Sequence, residues 1–187
     1  MTYELAYPAP GQPALADQIA KLLNATGLPA TIDAHRGFDH GVFIPLKVMF
    51  PEADIPIVQL SLRSDLGPNA HIQIGQALRP LRDENVLIIG SGMSFHNMRA
   101  YGDSNFSAVS NQFDDYLSQA VASNGPERAR LLAGWEQAPG ARLCHPIGGE
   151  EHLIPLMVAA GAGSDQPGVK IYSERVMQTT ISAFRFD

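Results

Sequence analysis

Apolar positions along this chain fall into alternating helical and strand-like runs. In "PGQPALADQIAKLLNATGLPA", Leu15, Ile19, Leu22 and Leu23 recur at helical spacing, and Gly27 with Pro29 stops the run. "ATIDAH" is a short strand candidate, and Gly37 to Gly41, "GFDHG", is a loop bracketed by glycines. "VFIPLKVMF" fits either period, but Leu46, Met49 and Phe50 on one face favour a short helix. "IPIVQLSL" and "NVLIIGSG" are short, apolar and β-branched, the pattern of buried strands. Between them "NAHIQIGQALRPLRDE" reads as a helix capped by Asn69.

Further on, Phe113, Tyr116, Leu117 and Val121 keep helical period, as do Leu131, Leu132 and Trp135 after a break at "NGPE". "EEHLIPLMVAAGAG" reads as a helix closed by Gly161 or Gly163, and "VKIYSERVMQTTISAFRFD" as two strands. Strands separated by helices predict an α/β fold: a mostly parallel or mixed central sheet flanked by helices, with an antiparallel finish. No repeat or linker divides the chain, so one domain over residues 1–187 is expected.

Composition narrows the function classes. At 17% charged residues the chain lies below the usual share of about 25%, so much of its surface must be neutral or covered. A net charge of -6 with scattered Lys and Arg argues against nucleic acid as a partner. No run approaches the ~20 apolar residues that span a bilayer, so no membrane partner is expected. Cys144 is the single cysteine and "MTYELAYPAPG" is no secretory leader, which together predict a cytoplasmic protein.

Six histidines offer chemistry. His71, on an amphipathic helix, reads as structural, and His35 as a loop residue. His40 in "GFDHG", His96 in "GSGMSFHNMR" and His152 at the start of an apolar helix sit where α/β proteins place their sites. Taken singly, each is more often a loop hydrogen-bonder than a ligand, and Glu150 and Glu151 could simply stabilise a helix start. Taken together, imidazoles beside a carboxylate suit Fe, Zn or Cu, and imidazole also moves protons near neutrality. Neither a GxSxG elbow nor a P-loop nor GxGxxG is present. Cys144 beside His145 is a weak nucleophile candidate, because adjacency in sequence is not a catalytic geometry.

The segments "YPAPGQPALADQI", "GFDHGVFIPLKVMFPEADIPIVQLSL", "LIIGSGMSFHNMR" and "HPIGGEEHLIPLMVAAGA" resemble the DOPA 4,5-dioxygenase type of class III extradiol ring-cleavage dioxygenases. These belong to the superfamily of the protocatechuate 4,5-dioxygenase catalytic subunit. The resemblance implies an enzyme that opens a catechol with O2 at a non-haem metal, Fe(II) first and Zn(II) as the alternative. By motif, His96 and His152 match metal-site histidines, and His40 and His96 match proton-handling ones. Glu151 is a further ligand candidate, and His145, Asp39 and Asn97 are candidates for substrate contact or support. The family's "HGxP"-like and "SAHW"-like strings do not occur here, so an N-terminally truncated member is expected. The alternatives left open are a relative completed by a partner or homo-oligomer, and a non-catalytic one.

Overall fold

The computed structural model describes residues 6–187. They form two compact units that meet at Ser61 and Leu62, and each is described by itself.

In the first unit, α1 (Pro13–Ala25) begins with proline at its first turn, where the missing N–H costs nothing. It ends before Gly27, whose φ of 77° turns the chain out of the helix. The second helix, α2 (His40–Met49), starts inside the expected "GFDHG" loop, so His40 is its first residue and Asp39 its N-cap. Tyr7, Leu46 and Ala53 form a small core, with Phe43, Phe50 and Ile57 against it. The Tyr7 hydroxyl donates to the Phe50 carbonyl at 2.8 Å.

The second unit carries α3 (Pro68–Leu78), α4 (Ser107–Val121), α5 (Gly125–Ala133), α6 (Ala141–Cys144) and α7 (Ile154–Ala162), followed by β1 (Val169–Val176) and β2 (Thr179–Arg185). The core is built on Phe113, Leu117, Leu132, Trp135, Ile154 and Met157. The backbones of α3 and α7 run against each other, since a Cβ at Gly75 would meet the Val158 carbonyl and one at Gly161 the Ile72 carbonyl. The break at "NGPE" is a helix cap: the Asn124 side chain accepts from the Glu127 N–H at 3.2 Å. Arg128, almost fully buried, donates to the carbonyls of Gln166, Ala160 and Ser164. Those bonds fix the turn between α7 and β1, and they satisfy a charge that would otherwise be costly to bury.

The final two strands form as expected. β1 and β2 pair antiparallel with Val176 opposite Thr179, closed by Met177 and Gln178 at φ 47° and 69°. Two consecutive left-handed residues give a turn whose twist matches the strands it joins.

The expected mostly parallel or mixed central sheet needs correction. Among the described residues the one sheet is this two-stranded hairpin. "ATIDAH" forms no strand, because the Asp33 carboxylate accepts from the N–H groups of His35 and Arg36 and turns the chain. "IPIVQLSL" contributes a single parallel bridge, Ile57 to Gly11. Residues 85–92 run irregularly, with Leu87 71% and Ile89 45% exposed. The apolar pattern is present in both, but among the described residues no neighbouring strand completes the ladder.

The helix expected over 69–84 also differs. Gly67, not Asn69, is its N-cap, and residues 79–84 tighten into a 3₁₀ turn around Pro80. His71 is structural: one ring nitrogen pairs with the Gly67 carbonyl at 2.7 Å, and the other accepts from the Arg63 N–H at 3.1 Å.

Candidate metal and substrate site

The site forms where residues 90–97 pass the start of α7. Gly90 and Gly92 share one face of the extended segment. A Cβ at Gly90 would strike the Pro155 carbonyl, and one at Gly92 the His152 carbonyl. Without side chains there, the two backbones close up, and the Met93 N–H donates to the His152 carbonyl at 2.8 Å. This is the local reason that His96 and His152, far apart in sequence, come together.

Three bonds hold the loop carrying His96 to the end of α6. The His96 N–H donates to the Cys144 carbonyl at 3.0 Å, and the Asn97 amide donates to the Leu143 carbonyl at 2.8 Å. The His145 ring reaches the Ser94 carbonyl through Nε2 at 3.1 Å. His145 is fully buried against Phe113 and Trp135, and burial pushes its pKa down to about 4, so it stays neutral. Burial likewise pushes the Cys144 thiol up to about 12, which removes it as a nucleophile at neutral pH.

The two adjacent glutamates divide their work. Glu150 accepts from Arg142 at 2.5 Å and from the Gly148 N–H at 2.8 Å. Partial burial alone would raise its pKa, but these donors hold it below the usual carboxylate range. Arg142 also pairs with Glu136 and lies over the Trp135 ring, so Glu150 orders the loop leading to the site. Glu151 turns the other way and meets His152 Nδ1 at 3.0 Å. His152 sits in a 3₁₀ turn over Glu150–His152, just ahead of α7, rather than in the helix itself.

His96 and His152 stack with ring centroids 3.4 Å apart and planes 15° off parallel. Ligand-capable atoms of His96, Glu151 and His152 all lie within 4.8 Å of one another. Two imidazoles with one carboxylate are a donor set that suits non-haem Fe(II) or Zn(II), so these residues fit the group the motifs imply.

A cavity of about 440 Å³ adjoins the pair, lined by His96, His152, Met93, Met98, Tyr101, Val176 and Met177. The Tyr101 hydroxyl donates to the Phe95 carbonyl at 2.7 Å, which fixes its ring in the wall.

Of the candidates read from sequence, the structure gathers His96, His152 and Glu151, with His145 and Asn97 holding the His96 loop from behind. His40 and Asp39 belong to the first unit, where the Asp39 carboxylate accepts from the Gln59 amide at 2.6 Å. Sequence reading missed the methionines and Tyr101. Met93 and Met98 flank His96 closely, a visible signal, whereas Met177 arrives through the hairpin turn and gave none.

Comparison with known proteins gives the family of the chain. Residues 1–185 match the LigB family, described as the catalytic LigB subunit of aromatic ring-opening dioxygenase, and the chain belongs to that family. Among curated relatives, the dioxygenase tasH of Hapsidospora irregularis is 41% identical over 98% of this chain and 60% of its own length. The 4,5-DOPA dioxygenase extradiol of Beta vulgaris is 41% identical over 87% of this chain and 60% of its own. The Escherichia coli protein of that name is 35% identical over 96% and 66%. The chain therefore spans about 60% of the length of the first curated relatives it matches. A crystal structure of an uncharacterized Escherichia coli K12 protein superposes with a TM-score of 0.85 at 31% identity, covering 99% of this chain and 77% of the other. No described helix is long and apolar enough to cross a membrane.

Proposed function

We propose that this chain carries the metal and substrate site of an extradiol dioxygenase that opens a catechol-type ring with O2. The observation that carries the reading is the meeting of His96, Glu151 and His152 within 4.8 Å, in segments that match the family. His96, His152 and Glu151 would hold Fe(II), with Zn(II) as the second choice. Bound there, the metal would supply acidification of the catechol hydroxyls and a place for O2.

The chain's own residues would do the rest. Glu151, paired to His152 Nδ1, orients that ring. His96, free of the metal during turnover, would take a hydroxyl proton and return it to the product, because imidazole exchanges protons near neutral pH. The methionine-lined wall offers apolar, polarizable contact to the ring. In the net reaction one ring carbon–carbon bond beside the two hydroxyls breaks and both atoms of O2 enter the product, so no outside reductant is needed. A single buried thiol suits a reducing compartment, and the cytoplasm is the proposed location.

The alternative reading is a relative of that family that is non-catalytic, or whose site is completed by another polypeptide or a second copy. One experiment addresses both. Protein loaded with Fe(II) without oxygen, then given a catechol and O2, should yield a yellow ring-opened product, and His96→Ala should not. Metal bound stoichiometrically without turnover would favour the second reading. Equal behaviour of wild type and His96→Ala would end the first.

A further inference from the structure

We propose that the cavity beside His96 and His152 selects a catechol whose ring substituent is uncharged and apolar, over one that carries an amino-acid group. The inference rests on the ring-opening reading of the site and adds its substrate class. Apart from the two imidazoles, the wall consists of Met93, Met98, Met177, Val176 and Tyr101. Thioethers are polarizable and adaptable and pack well against aromatic rings. A carboxylate or ammonium brought among them would lose water and gain no opposite charge from these residues.

Two further features point the same way. Met98 is 68% and Met177 59% exposed, so neither is explained by core packing. Met177 also takes a left-handed φ of 47°, a turn position where glycine or asparagine is the usual choice. The turn is tied down by the Gly102 N–H, which donates to the Met177 carbonyl at 2.8 Å. A bulky side chain held at that backbone cost, at the rim of a cavity, fits a role for the side chain itself.

The relatives named 4,5-DOPA dioxygenase extradiol provide the contrast, since DOPA is a catechol bearing both a carboxylate and an ammonium. The test uses the whole chain with Zn(II), labelled with ¹³C at the methionine methyls, of which there are 6 in the sequence. Catechol, 4-ethylcatechol and DOPA are titrated in turn and followed by NMR. The methyls of Met93, Met98 and Met177 should shift with catechol and 4-ethylcatechol, and 4-ethylcatechol should bind about tenfold or more tightly than DOPA. Met177→Lys or, independently, Met98→Lys should shrink that ratio. DOPA binding as tightly as 4-ethylcatechol, with catechol still moving these three methyls, would overturn the selectivity and leave the ring-opening reading standing. Catechol leaving all three unmoved would remove both.

Discussion

Two apolar segments of the second unit meet opposite ends. Residues 169–185 fold back on themselves and pair along their length, and the buried Ile181 reaches the core. Residues 85–92 are as apolar, yet they stay outside any ladder, pinned by glycines to α7 on one face and open at Leu87 and Ile89 on the other. The hairpin's partner lies two residues away across a left-handed turn. A partner for 85–92 would have to come from far along a chain, or from elsewhere. Pairing is set by who is available, and strand-like composition alone does not supply it.

The contrast can be broken by mutation. Ile181→Ala should cost about 2–5 kcal/mol, the range for emptying a buried aliphatic site, read by denaturant unfolding. Acidification comes next. The unfolded chain binds a proton at the His145 position near 6.5, while the native chain does so only near about 4, so stability falls as pH drops through that window and levels off below it. The loss should approach about 3 kcal/mol and be shallower in His145→Gln. Gly92→Ala should cost about 1–3 kcal/mol by forcing the segment off the His152 carbonyl, and it should weaken Zn(II) binding in titration calorimetry as well. The smallest effect belongs to the open face: Leu87→Ser should change stability by under about 0.5 kcal/mol and reduce self-association in analytical ultracentrifugation. A loss at Leu87 as large as at Ile181 would mean the outer face is covered after all.

Much of this was legible in the residues. Helical period found α1, α4, α5 and α7, and alternation found the hairpin. The loop histidines His96 and His152 lie together, with Glu151 beside them. What could not be read was geometry that depends on distant partners. Asn69 has cap chemistry, but Pro68 had already opened the helix one residue earlier. Glu150 and Glu151 look equivalent in sequence, and only Arg142, brought over by α6, separates the structural one from the one that meets His152. The sheet was overestimated because apolar runs were taken to imply neighbours.

The depth of Cys144 bears on how the protein should be handled. Its sulfur is fully buried, faces the Val109 carbonyl at 3.9 Å and is held almost wholly as the unreactive thiol at neutral pH. Alkylating agents and mild oxidants should pass it by, so purification can dispense with dithiothreitol, a chelator that would compete for the very ion under test.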